Sequence, residues 1–129
     1  MIDIGLKGLQ SVTVDETNTA LSVGSGELPV FATPSMIALM EATAAASVKP
    51  FIPEDSSTVG TVVNIQHISA TPIGMIIRCE SELIEIDRKR LVFKLSVFDE
   101  CGLIGEGIHE RFIINKEKFL SKTEDKRGK

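Results

Sequence analysis

The stretch 30–50 constrains the fold of this chain more than any other segment, because it predicts a helix with almost no polar face. Thr33 can cap this helix, Pro34 suits its first turn, and Pro50 prevents it from continuing. We therefore predict a helix over about residues 34–48. A helix that is apolar all round is a buried helix, so the rest of the chain has to cover it.

Glu41 is the only ionisable residue of this predicted helix before Lys49. A buried carboxylate must be paired, hydrogen-bonded or protonated, because burying it without a partner is costly. Two interpretations remain open. Glu41 is either a structural acid held by a lysine or a backbone group, or an acid of a functional site, where shifted pKa values concentrate. We favour the second.

The chain on both sides of this helix is predicted to be mainly strand, with turn signals at the spacing of an antiparallel meander. The predicted strands are 6–14, a short one at 19–23, 59–70, 75–86, 91–98 and 103–114. The glycine-rich segment 24–29 is predicted to be a loop that leads into the helix. One sheet covers only part of a helix, so the sheet must wrap it and a second copy must cover the remainder. We therefore predict an α+β hot-dog fold in a homodimer.

Composition favours one domain over residues 1–120, followed by a charged tail at 121–129 that is predicted to be disordered. The net charge of −4 argues against nucleic acid as a partner. No apolar run reaches the roughly 18 residues of a membrane span without a charge. Asp3 and Lys7 interrupt any signal-peptide core.

Cys79 and Cys101 form no CxxC pair, so we predict reduced thiols used for packing in a cytoplasmic protein.

Three segments of the sequence occur in the same order in a known family. They read V-F-A-T-P-S-M-I-A-L-M-E, G-T-V-V-N-I-Q-H-I-S-A-T-P-I-G and G-E-G-I-H-E-R-F-I-I. This pattern resembles the fluoroacetyl-CoA thioesterase family of hot-dog proteins over about residues 30–119. The resemblance implies an enzyme that hydrolyses an acyl-CoA thioester to a free acid and CoA. It also implies three catalytic residues, Thr33, Glu41 and His67.

The resemblance also points to Gly60 and Arg111 as candidate substrate-binding residues. We add His109, which is two positions from Arg111 on one strand face, and Phe31. Coenzyme A is expected only as part of the substrate, with no metal ion and no other cofactor. The expected partners are the acyl-CoA substrate and a second copy of the chain, in a homodimer or a tetramer, with no nucleic acid and no membrane.

The residues alone support this catalytic set only in part. His67 shares a predicted strand face with Val63 and Ile65, so it is expected to point inward. A lone inward histidine is commonly a hydrogen-bonded core residue, but a neighbouring Glu could orient its imidazole. Thr33 and Glu41 lie about 12 Å apart along a helix, so both can reach one site only through a curled loop or a second copy. Thr33 remains either a nucleophile or a helix cap.

The substrate is less closely defined than the reaction. The family's best-characterised member has an aromatic lid residue three positions before the Val of V-F-A-T, where this chain has Glu27. We therefore expect a general short or medium acyl-CoA. The basic turn 88–90 could contact CoA phosphates, although a solvated turn is the simpler interpretation. Two alternatives are a non-catalytic acyl-CoA-binding module and an enoyl-CoA hydratase, for which no closely spaced Asp/His pair is visible.

Overall fold

The computed structural model describes residues 2–128 and is built around the predicted apolar helix. In chain order, its elements are β1 (Lys7–Thr13), α1 (Ala20–Val23), α2 (Thr33–Val48), β2 (Ser56–His67), β3 (Ile76–Asp87), β4 (Arg90–Phe98), β5 (Leu103–Asn115) and α3 (Lys116–Glu124). Single turns of 3-10 helix follow α2 at Lys49–Phe51 and α3 at Asp125–Gly128. Met1 and Lys129 lie outside the described residues.

The five strands form one antiparallel sheet in the order β1-β3-β4-β5-β2. The sheet curls, and α2 packs against it, mainly on β1 and β3. This arrangement confirms the predicted α+β architecture. β1 and β2 are the edge strands, so one side of the 12-residue β2 has no hydrogen-bonded neighbour in the described chain.

The hydrophobic core lies between α2 and the sheet. Its members are almost fully buried, and the largest of them are Met36, Met40, Phe31, Phe93, Leu83, Leu91, Leu95, Ile77 and Ile104. Removing each such side chain from water contributes roughly 1.5–3 kcal/mol to folding. The core therefore fixes α2 in place, and with it the functional residues that α2 carries.

The side of α2 that faces away from the sheet is uncovered. Its exposed residues recur every four positions, at Pro34, Ala38, Ala42 and Ala46. Within one copy the sheet covers one side of α2 only, as expected from a single sheet, and the cover of the other side by a second copy stays a prediction. Among residues 2–128, none of the helices has both the length and the apolar character needed to cross a membrane.

Residues 20–23 form a helical turn, so the predicted short strand at 19–23 is wrong. Thr19 precedes the turn, and its hydroxyl oxygen accepts a hydrogen bond from the backbone N–H of Ser22 at 3.2 Å. Gly24 ends the turn with φ of 78°, a conformation that favours glycine. A threonine cap and a terminal glycine thus override the strand propensity of Leu21 and Val23.

The predicted disorder of the charged tail 121–129 is also wrong for residues 121–128, because they belong to α3 and the 3-10 turn that follows it, whereas Lys129 lies outside the described residues. The side chain of Asn115 accepts a hydrogen bond from the N–H of Lys118 at 3.0 Å and caps the helix. Glu117 in the first turn and Lys122 in the last complement the helix dipole. Capping and helix-forming side chains therefore prevail over the charged composition.

The two cysteines have different environments. Cys79 is fully buried on β3, and burial raises the pKa of its thiol to about 11, which agrees with a packing role. Cys101 is exposed in the turn between β4 and β5, so the prediction that it packs in the core is wrong. The reason is local, because Cys101 lies in an Asp-Glu-Cys-Gly turn rather than in a strand.

Gly107→Ala should destabilise the pairing of β2 with β5. A Cβ atom at Gly107 would lie 2.6 Å from the Cα of Ile65, so the backbone of β2 would have to move. We expect a loss of about 1–3 kcal/mol in the free energy of unfolding, measured by urea denaturation. Gly128→Ala is the control, because its Cβ would meet open space. Equal stability of both variants would contradict the close approach.

Candidate active site

Thr33 and His67 are in direct contact. Thr33 is the first residue of α2, His67 is the last residue of β2, and Thr33 Oγ1 lies 2.7 Å from His67 Nδ1. The N-cap position of α2 is Ala32, and no side chain caps this helix end. The prediction that Thr33 caps the helix is therefore wrong, because its hydroxyl is bonded to the imidazole instead.

The remaining nitrogen of His67 defines how this pair can react. Nε2 is buried and has no hydrogen-bond partner among residues 2–128. Burial lowers the pKa of His67, so the neutral ring is favoured. With the proton on Nε2, Nδ1 accepts the hydrogen bond from the Thr33 hydroxyl and is placed to take its proton.

A cavity of about 330 Å³ lies beside the Thr33–His67 pair. Its lining comes from three segments, and comprises Ala20, Ser25, Val30, Phe31, Thr33, His67, Ile68, Ser69 and Ala70. Phe31 is only 2% exposed, so its ring is fixed as a wall rather than free to move as a lid. The cavity is of a size for a small acyl group next to the hydroxyl.

A second group of candidate residues surrounds Arg111. Its Nη1 lies 3.1 Å from His109 Nε2 and 3.5 Å from Glu41 Oε2. Thr58 holds the guanidinium from the other side, because its Oγ1 accepts from Nε at 2.8 Å and its carbonyl oxygen accepts from Nη2 at 2.9 Å. The buried Arg111 is therefore rigidly oriented with one donor directed at Glu41.

The protonation state of His109 follows from these contacts. A guanidinium can only donate, so His109 Nε2 must accept, and Nδ1 carries the proton that it donates to the carbonyl of Val62 at 2.7 Å. Burial lowers the pKa of His109, and the nearby charge of Arg111 lowers it further. His109 is thus a neutral ring that helps to position Arg111.

Gly60 allows the Glu41 carboxylate to lie against β2. A Cβ at this position would be 2.6 Å from Glu41 Oε2 and 3.1 Å from His109 Cε1. The side chain of Glu41 is 41% exposed, so the prediction of a buried carboxylate is wrong within one copy. Glu41 points from the side of α2 that the sheet leaves partly open.

The structure therefore brings the predicted site residues together in two groups. Thr33, His67 and Phe31 share the cavity, whereas Glu41 lies with Gly60, His109 and Arg111. Within residues 2–128, no hydrogen bond or ion pair joins Glu41 to Thr33 or His67. Gly60 and His67 are seven residues apart on β2, a span of roughly 23 Å.

Thr58 is the contact residue that sequence analysis missed. It holds Arg111 with its hydroxyl and its carbonyl oxygen. A signal was present, because Thr58 is two positions from Gly60 and thus lies on the same strand face.

The basic turn 88–90, a candidate contact for CoA phosphates, is partly neutralised. Arg90 forms ion pairs with Glu85 at 2.6 Å and with Glu110 at 2.8 Å.

Solved structures with the same architecture are thioesterases of the hot-dog fold. One is a threonine-to-serine mutant of the fluoroacetyl-CoA thioesterase in complex with acetyl-CoA, with a TM-score of 0.92 and 29% identity over 97% of this chain and 98% of that chain. Another is a Thermus thermophilus hypothetical protein, a thioesterase superfamily member, with a TM-score of 0.91 and 25% identity over 99% and 95% of the two chains. The fold and the Thr–His pair thus define a hot-dog thioesterase.

The family can be stated more closely from the sequence match. Residues 14–117 match the family described as fluoroacetyl-CoA-specific thioesterase. The chain is also 35% identical to the fluoroacetyl-CoA thioesterase of Streptantibioticus cattleyicolor over 97 residues, which are 75% of this chain and 70% of that protein. The protein belongs to the fluoroacetyl-CoA thioesterase family and is a thioester hydrolase.

The buried His109 and the half-buried His67 should make the fold less stable as the pH falls. Both pKa values are lowered in the folded protein, so below about pH 6.5 the unfolded chain binds more protons than the folded one. We expect the free energy of unfolding to fall between pH 7.5 and 5.5 in urea titrations. His67 and His109 are the only histidines, so a His67→Gln/His109→Gln variant should lose most of this dependence. An unchanged pH slope would contradict this account.

Proposed function

We propose that this protein hydrolyses short or medium acyl-CoA thioesters to a free acid and CoA, with Thr33 as nucleophile and His67 as its base. The hydrogen bond of 2.7 Å between Thr33 Oγ1 and His67 Nδ1 carries the proposal. It satisfies the geometric demand on an activated hydroxyl, a base within about 2.6–3.2 Å. The adjoining cavity leaves space for the acyl group.

In this mechanism, His67 Nδ1 takes the proton of the Thr33 hydroxyl as Oγ1 attacks the thioester carbonyl. The tetrahedral intermediate collapses, the C–S bond breaks, and the CoA thiolate takes the proton from the imidazolium. Water then attacks the acyl-threonine ester with His67 again as base, which releases the acid and restores Thr33. The positive end of the α2 dipole lies at Thr33 and favours the developing oxyanion.

We also propose a homodimer in which β2 pairs with β2 of a second copy. β2 is a long edge strand with exposed apolar side chains, such as Val62 at 41% and Val63 at 44%. Unprotected edges of this kind favour pairing with another strand. The exposed face of α2, with Ala38 and Ala42, is the second apolar surface that such a partner would cover.

This dimer would complete the catalytic set. Antiparallel pairing of β2 with its copy about an axis between Val63 and Asn64 places Gly60 of each chain opposite His67 of the other. Because Glu41 lies against Gly60, Glu41 of the partner subunit would come close to the imidazole of His67. There its carboxylate could orient the ring and stabilise the imidazolium that forms during the reaction.

The loop beside the cavity is the basis for the range of acyl groups that we propose. Ser25 lines the cavity, and the exposed Glu27 lies in the same loop where an aromatic lid would be needed to select a fluoroacetyl group. We therefore expect acetyl-CoA and longer acyl-CoA to be hydrolysed as well. The proposal needs no metal ion or other cofactor, and a cytoplasmic location fits the two free thiols, Cys79 and Cys101.

His67→Ala and Glu41→Gln should each lower kcat for acetyl-CoA hydrolysis by at least roughly a hundredfold, the scale of general acid–base contributions. Thr33→Asn should be equally impaired, because an amide cannot attack a thioester. Thr33→Ser is the matched control and should retain much of the activity. The measurement is thiol release, with circular dichroism to verify folding.

Two outcomes would contradict the assignment of roles. A folded Thr33→Asn enzyme with parental activity would leave hydrolysis to water activated by His67 or Glu41. A folded parent protein that binds acetyl-CoA without releasing thiol would be a non-catalytic binding module.

A further inference from the structure

A groove of about 380 Å³ lies where β5 continues into α3, away from the Thr33 cavity. We call it the lysine groove and define it by Lys89, Ile113, Lys118, Phe119 and Lys122, all of which line it. Lys118 and Lys122 both lie on α3, and Lys122 belongs to the tail 121–129 that the sequence analysis predicted to be disordered. The fold brings them next to Lys89 of the β3–β4 turn.

The lysine groove is cationic in a protein whose net charge is −4. Within residues 2–128, no carboxylate lies within 4.0 Å of the ammonium groups of Lys89, Lys118 or Lys122. The neighbouring Arg90 differs, because Glu85 and Glu110 neutralise it. Three unpaired lysines around one groove therefore favour a bound anion.

The groove also presents an aromatic surface. Phe119 is 39% exposed, and Lys89 also lines an adjoining cavity that contains Phe112, which is 41% exposed. Such a surface suits a phosphorylated base, because an aromatic ring can stack on the base while lysines contact the phosphates, as in proteins that bind single-stranded nucleic acid. A simple inorganic anion would not need the rings.

Within one chain the groove is far from the Thr33–His67 pair, because His67 pairs with Gly105, ten residues from Asn115 on β5. In the proposed dimer it comes within reach of the partner's reactive pair, because Gly60, which pairs with Arg111, would lie opposite His67 of the partner subunit. Ile113 is two residues from Arg111 on β5, so both side chains point to the same face of the sheet. The end of β5 at Asn115 is four residues from Arg111, a distance of roughly 13 Å. This distance is within the length of the pantetheine arm that separates the thioester of an acyl-CoA from its nucleotide.

We propose that the lysine groove binds the 3′-phosphorylated ADP end of coenzyme A. Lys89, Lys118 and Lys122 contact the phosphates, and Phe119 stacks on the adenine. This inference rests on the proposed acyl-CoA substrate and on the proposed dimer, and deepens the proposed function. The groove favours CoA thioesters over pantetheine thioesters, which lack the nucleotide. It contributes to substrate binding and not to the chemical step.

The test is a Lys118→Met/Lys122→Met variant, which removes two charges and keeps the apolar stems. Lys126→Met is the matched control, because Lys126 is exposed on the same C-terminal segment but does not line the groove. Calorimetry with free CoA should show a Kd raised about tenfold or more in the double variant and unchanged in the control. Dephospho-CoA, which lacks the 3′-phosphate, should bind the parent more weakly than CoA does. The difference in Kd between the parent and the double variant should also be smaller for dephospho-CoA.

Kinetics separate this inference from the proposed function. For acetyl-CoA, the double variant should have a raised KM and a parental kcat, whereas both constants for acetyl-pantetheine should not change.

If the parent hydrolyses acetyl-CoA and the double variant keeps the parental Kd and KM, the assignment of the nucleotide to the groove is wrong and the proposed function stands. A parent that binds CoA through the groove but releases no thiol overturns the function and leaves the groove intact. A loss confined to an acidic acyl carrier protein as substrate would overturn the nucleotide assignment in favour of a protein partner.

Discussion

The packing of one apolar helix against one curled sheet is the constraint on which the rest of this structure depends. α2 buries Met36, Met40 and Ala44 against the sheet, and this contact fixes both ends of the candidate site. Its first residue, Thr33, is thereby brought to the end of β2, where it meets His67. Two turns further on, Glu41 is brought to Gly60 in the middle of the same strand. A shift of the helix along β2 would disrupt both contacts together.

The electrostatics of the site follow from the same packing. Arg111 is buried, which alone is unfavourable for a cation, and Thr58 and Glu41 offset this cost with hydrogen bonds and charge. His109 remains neutral because it must accept a hydrogen bond from the guanidinium. Glu41 keeps one side open, since its side chain is only partly buried. A carboxylate that is held by a rigid arginine and exposed on its other side is well placed to act across an interface.

The sequence predicts the framework better than the contacts within the site. The uniform apolarity of α2 and the regular turn signals are local features, and they were sufficient for the helix, the five strands and the antiparallel sheet. The pairing of Thr33 with His67 depends on where α2 crosses β2, and the pairing of Glu41 with Arg111 depends on the register of β2 and β5. No local pattern encodes these. The motifs shared with the family pointed to the residues, and helix spacing separated Thr33 from Glu41, but neither indicated that His67 lies with Thr33 and Arg111 with Glu41.

The central claim is that each site combines Thr33 and His67 of one subunit with Glu41 of the partner subunit. It can be tested by mixing two inactive variants, His67→Ala and Glu41→Gln, after subunit exchange. A mixed dimer would contain one intact site, so thiol release should recover to about a quarter of the parental activity when exchange is complete. Activity that stays at the level of the separate variants, with mixed dimers verified by mass spectrometry, would show that Glu41 does not act across the interface.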